Sequence, residues 1–76
     1  MHKRFEIAPC HDAWDVRHNH VSFRVCERKR EAIRLALTLG RLQLRMGDDA
    51  EIVLFDDNGV QRARHEISAR TAPRVA

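Results

Sequence analysis

The sequence predicts an α+β fold in which one long helix packs on one face of an antiparallel sheet of four to five strands, in the order β-β-β-α-β-β. Three observations predict this fold. Apolar and polar residues alternate with a period of two along residues 3–8 and 14–25, as on half-buried strands. From about Glu27 the apolar period becomes that of a helix, and an Asn58-Gly59 pair then marks a tight turn between two further strands.

The second and third strands are predicted to form a hairpin around a two-residue loop at positions 18–19. In that register Trp14 pairs with Phe23. Val16 pairs with Val21, so the apolar side chains meet on one face of the hairpin.

The helix is expected from about Glu27 to Met46, with Gly47 ending it. Its apolar arc is about 220° wide, whereas contact with one sheet face requires about 100°. The predicted core stripe consists of Ala32, Leu35, Ala36, Leu39, Leu42 and Met46. The remaining apolar residues lie on one flank of that stripe: Ile33, Leu37 and Leu44.

The strand from Ile52 to Phe55 is apolar on both faces, although one helix covers only one side of a sheet. Its outward residues, together with the helix flank, predict a docking face for a homodimer or another protein. That face consists of Ile33, Leu37, Leu44, Val53 and Phe55. The alternative is that the expected strand register is in error and that these are ordinary core residues.

The chain is expected to form one domain over residues 1–67, followed by a flexible basic C-terminal tail at 68–76 that carries Arg70 and Arg74. The N-terminus has no apolar signal segment, and the longest apolar run is far below the roughly 20 residues that span a bilayer. These features predict a cytoplasmic protein without a membrane partner, in which both cysteines are reduced.

The positive charge of the chain is concentrated on the helix. The net charge is +3, and the segment from Glu27 to Met46 alone contributes roughly +4. At about 100° per residue, its arginines fall within roughly 60° of one another. These residues, called the arginine ridge below, are Arg30, Arg34, Arg41 and Arg45. Such a row of guanidinium groups is suited to phosphates or carboxylates, although the plain alternative is a solvated helix face.

Cysteine and histidine residues could supply a zinc site on paper: Cys10, His11, His18, His20, Cys26 and His65. In the predicted hairpin, however, His18 and His20 lie at the turn, roughly 23 Å from Cys26 at about 3.3 Å per residue. We therefore expect no metal ion and no cofactor, with a partial metal site of Cys10, His11 and Cys26 as the alternative. The same pairing brings Cys10 near Cys26, so an intramolecular disulfide is predicted under oxidising conditions, with an intermolecular one as the alternative.

No catalytic residues are assigned. His11 beside Asp12, and His65 beside Glu66, are acid-base types, but the sequence lacks a nucleophile motif, a phosphate-binding loop or a metalloprotease helix motif. A domain this small also has little room for a catalytic pocket. The chain is therefore expected not to be an enzyme and to have no small-molecule substrate.

The order of short motifs resembles a family of very small bacterial proteins, domain of unknown function twenty-one eighty-eight. The shared pattern is Trp14-Asp15-Val16, a helix with Glu31-Ala32-Ile33 and Ala36, and a closing hairpin at Asn58-Gly59-Val60. This chain departs from the family pattern at Arg28 and at His18-Asn19. The resemblance implies a helix on an antiparallel sheet and no established activity.

The functional prediction is a non-enzymatic binding module, expected to be a homodimer, that uses the arginine ridge against a nucleic acid backbone or an acidic protein surface. One alternative is a phage-type, anti-CRISPR-like inhibitor or regulator of a bacterial defence complex, suggested by size alone. Another is a small structural or accessory protein with no charged ligand.

Overall fold

The computed structural model describes residues 2–68. The strands and the helix follow one another in the predicted order. They are β1 (His2–Cys10), β2 (Ala13–His18), β3 (Val21–Cys26), α1 (Lys29–Arg45), β4 (Asp49–Phe55) and β5 (Gln61–Ile67). The α+β fold class with one helix on a five-stranded sheet is thereby confirmed. Of the predicted C-terminal tail, residues 69–76 lie outside the described residues.

The five strands form one sheet in the order β3-β2-β1-β4-β5. The central pair, β1 and β4, is parallel, with Phe5 opposite Ile52 and Ile7 opposite Leu54. The expectation of an entirely antiparallel sheet is therefore wrong for this pair. Alternation along a strand reports which side chains share a face, but it carries no information about the direction of the neighbouring strand.

The β2–β3 hairpin turns one residue later than expected. Asn19 and His20 both have positive φ angles, 52° and 65°, as a type I′ turn requires. A bulge then shifts the register between Val16 and Arg17, so that Phe23 is left without a partner on β2. The predicted pairing of Trp14 with Phe23 is wrong, and the Phe23 side chain is 55% exposed.

Helix α1 rests on the sheet through small residues. Ala32, Ala36 and Gly40 are the buried positions of the helix, and a Cβ atom on Gly40 would lie 3.0 Å from Cδ1 of Ile67. The helix backbone therefore lies close to the strands, which larger side chains at these positions would prevent. The outer members of the predicted core stripe, Leu42 and Met46, are exposed instead.

The hydrophobic core lies between α1 and one face of the sheet. Along the strands, the core residues alternate with charged residues that point to the other face. The buried strand residues of the core come from the four strands nearest the helix: Phe5, Ile7, Val16, Cys26, Ala50 and Ile52. The ring of His18 stacks on Phe5 with 4.8 Å between centroids, and the Lys29 ammonium lies 5.4 Å from the Trp14 ring centroid. Both contacts place polar groups at the margin of the core.

None of the helical segments within residues 2–68 combines the length and the apolar character needed to cross a membrane.

Candidate functional site

The arginine ridge lies on the side of α1 that faces away from the sheet. All four of its side chains are exposed, and within residues 2–68 none of them forms an ion pair or a side-chain hydrogen bond. Thr38 lies among them and donates its hydroxyl hydrogen to the backbone carbonyl of Arg34 at 2.9 Å. The structure therefore brings the four predicted partner-binding residues together as unpaired cations.

Four of the five arginines of the sheet differ, because each of them pairs with a carboxylate, whereas Arg24 on β3 has no such partner within residues 2–68. Arg17 donates to Asp15 at 2.9 Å, and Arg62 donates to Asp56 at 2.7 Å. The remaining pairs are Arg4 with Glu6 and Glu51, and Arg64 with Glu51 and Glu66. These four sheet arginines are thus neutralised locally, whereas the ridge arginines are not.

Three buried carboxylates lie on the sheet face opposite α1. Glu6, Asp15 and Glu51 are each less than a tenth exposed, and each alternates along its strand with core residues. Val53 lies on the same face, in register with Glu6 on one side and Arg64 on the other. It is completely buried. Long paired side chains therefore cover the sheet face that the sequence predicted to be open to a partner.

The ionisation of two of these carboxylates is favoured by their partners. Burial acts to raise the pKa of Asp15, but hydrogen bonds from Ser22 and Arg17 outweigh it, so the pKa lies below its ordinary value. For Glu51, the hydrogen bond from Arg64 is the largest effect and lowers the pKa against the opposing effect of burial. Both groups therefore stabilise the fold in their charged form.

Because both native pKa values are lowered, the stability they contribute is complete above the unfolded-state pKa of about 4 and is lost as pH falls through the lower native values. An Asp15→Asn/Glu51→Gln double variant is expected to lose about 1 to 3 kcal/mol of unfolding free energy at pH 7. At pH 2 it should approach wild type. Denaturant titration at both pH values, with exposed Asp57→Asn as control, measures this difference. An equal loss at both pH values would contradict it.

The predicted docking face does not form one surface. Ile33 and Leu37 line a groove between α1 and the β4–β5 hairpin, whereas Val53 and Phe55 point to the opposite face of the sheet. Leu44 is half-buried near the end of the helix. A homodimer that uses all five residues in one interface is incompatible with this arrangement.

Cys10 and Cys26 are free thiols, and their positions do not fit the intramolecular disulfide predicted under oxidising conditions. Cys10 pairs with Ala13 on one side of β2, and Cys26 pairs with Trp14 on the other. Two strand spacings of about 4.8 Å separate them, beyond the roughly 7 Å that a disulfide can bridge. The sequence prediction brought them together because it extended the β2–β3 hairpin register back to Cys10, which instead belongs to β1.

The candidate metal ligands are dispersed. His18 stacks on Phe5, His20 pairs with Glu6 at 3.0 Å, and His65 lies on β5. Within residues 2–68, no three side chains of histidine, cysteine, aspartate or glutamate are arranged to hold a metal ion.

Sequence reasoning missed the ion-paired face of the sheet and the groove beside the helix. The first had a signal, since opposite charges two residues apart on one strand share a face, as in Arg4 with Glu6 and Asp15 with Arg17. The groove had no comparable signal. It depends on how far the helix extends across the sheet.

Comparison of the chain with family models, curated proteins and solved structures gave no significant match. The resemblance to the family of very small bacterial proteins stays a prediction from short motifs.

Proposed function

We propose that this protein is a non-enzymatic binding module that contacts an acidic partner through the arginine ridge. The observation that carries the proposal is the contrast between the two sets of arginines. Four of the five sheet arginines have carboxylate partners, whereas the four clustered arginines of the ridge have none within residues 2–68. Four unpaired guanidinium groups on one helix face attract anions and repel one another.

The ridge has dimensions suited to an extended anionic surface. From Arg30 to Arg45 it spans about 22 Å at 1.5 Å per residue. Each guanidinium group offers a planar fork of N–H donors that binds a carboxylate or a phosphate in bidentate fashion. Such a row supports binding to a nucleic acid backbone or to an acidic protein surface, without the need for a second copy of the chain.

Charge reversal on the ridge tests the proposal. In the Arg34→Glu/Arg41→Glu variant, binding to poly-L-glutamate or to duplex DNA should weaken about tenfold or more, because attraction at the centre of the ridge becomes repulsion. Fluorescence anisotropy at low and moderate salt measures the effect. The matched control is Arg24→Glu/Arg28→Glu, which changes the net charge equally at exposed positions off the ridge.

The control variant should bind nearly as tightly as wild type. Failure of wild type to bind either polyanion at low salt, or equal weakening in both double variants, would refute the ridge as the contact surface.

A further inference from the structure

An apolar groove of about 510 Å³ lies beside the helix. Its helix wall is formed by Ile33 and Leu37. Its floor and outer wall come from β1, β4 and β5: Ile7, Ile52, Leu54, Ala63, Arg64 and His65. None of the described residues that line it is acidic.

The groove exists because of the size of two sets of side chains. The small residues on the buried side of α1 allow the helix to lie close to the sheet. Ala63 on the edge strand β5 pairs with Leu54 without covering it. Apolar side chains of the helix flank therefore face the strands across an open gap. This explains the wide apolar arc of α1, which one sheet face does not fill.

Helical spacing joins the groove to the arginine ridge. Residues three and four apart are neighbours on a helix surface. Leu37 in the groove wall therefore has Arg34 on one side and Arg41 on the other. Ile33 lies three residues after Arg30. The rim of the apolar groove on the helix side is thus a row of unpaired cations.

We propose that the groove and the ridge together bind an acidic segment of a partner protein whose apolar side chains enter the groove while its carboxylates contact the arginines. This inference rests on the proposed function and names the partner class. Covering the apolar walls with apolar side chains is favourable, because it removes both surfaces from water. A nucleic acid backbone presents phosphates to the ridge but no aliphatic groups to the groove.

A second copy of the chain is a poorer occupant. A two-fold interface brings the same patch of both molecules together. Two arginine ridges beside one groove would then face one another, and like charges repel. The charge of the rim therefore favours an acidic partner over self-association.

Two labelled peptides test the proposal: a short glutamate-rich peptide that contains leucines, and the same peptide with serines in place of the leucines. The leucine peptide should bind about tenfold or more tightly, since that ratio corresponds to about 1.4 kcal/mol and one buried leucine contributes at least as much. Ala63→Trp should abolish the difference by filling the groove from an exposed position.

Leu37→Ser should also abolish the difference, whereas Leu42→Ser, an exposed leucine outside the groove, should retain it. Circular dichroism checks that each variant is folded. If Leu37→Ser unfolds, Ala63→Trp decides, because that substitution removes no core contact. Arg34→Glu/Arg41→Glu should weaken the binding of both peptides.

Equal binding of the two peptides would overturn the groove proposal. If that binding still weakened in Arg34→Glu/Arg41→Glu, the proposed function would remain intact. Tighter binding of duplex DNA than of the leucine peptide would also overturn it. So would sedimentation of wild type as a dimer that Ala63→Trp dissociates, since a second copy would then occupy the groove. Loss of all ridge dependence would refute the proposed function itself.

Discussion

Ile7→Ala is expected to lower the free energy of unfolding by about 2 to 5 kcal/mol, whereas Phe23→Ala should cost less than about 1 kcal/mol. The order is the reverse of side-chain size. Ile7 is completely buried on the central strand β1, and Phe23 is 55% exposed at a bulge in the edge strand β3. The loss depends on the contacts removed and on the cavity left behind, and the larger residue has fewer of both.

Urea titration of the two variants beside wild type measures these losses. A domain of this size is expected to have only about 4 to 11 kcal/mol of stability, so Ile7→Ala removes a large fraction of it. A greater loss for Phe23→Ala would show that the hairpin has the register with Trp14 opposite Phe23 and not the bulged one.

Ala36→Leu is expected to destabilise the protein by about 1 to 3 kcal/mol or more, because an inserted isobutyl group finds no space between the helix and the sheet. Ala36 is completely buried in the middle of the stripe formed by Ala32, Ala36 and Gly40. Helix propensity does not oppose this result strongly, since alanine is already the best helix former.

Thr38→Leu provides the matched control, because it adds leucine to the exposed side of the same helix, two residues away. Its unfolding free energy should remain within about 0.5 kcal/mol of wild type. Thermal and chemical denaturation of both variants test the comparison. Similar stabilities of the two leucine variants would contradict the close approach of the helix.

Local pattern was sufficient for the elements and for part of the site. Alternation and helical period predicted the order of the strands and the helix, and the tight turn at Asn58-Gly59 lies between β4 and β5 as expected. The arginine ridge was also predicted, since four residues on a regular helix have a relative orientation that depends only on their spacing. These features depend on neighbours within a few residues.

The distance between the helix and the sheet could not be predicted from local sequence pattern. The same apolar arc on α1 is compatible with a core centred on Leu39 or on Ala36. In the structure the helix lies so close to the strands that its small residues, and not its leucines, occupy the buried positions. As a result Met46 is exposed, and a groove opens beside Leu37. The predicted docking face failed for this reason, because it combined residues from two sides of the sheet.

The sequence by itself therefore determined the α+β class, the number and order of its elements, and the clustering of four arginines along one face of the helix. The tertiary structure alone decided the parallel pairing of β1 with β4, the bulged register of β3, the separation of Cys10 from Cys26, and the groove. The physical reason is range. Periodicity records which face of an element is apolar, whereas strand direction and helix position follow from contacts between residues far apart in the chain.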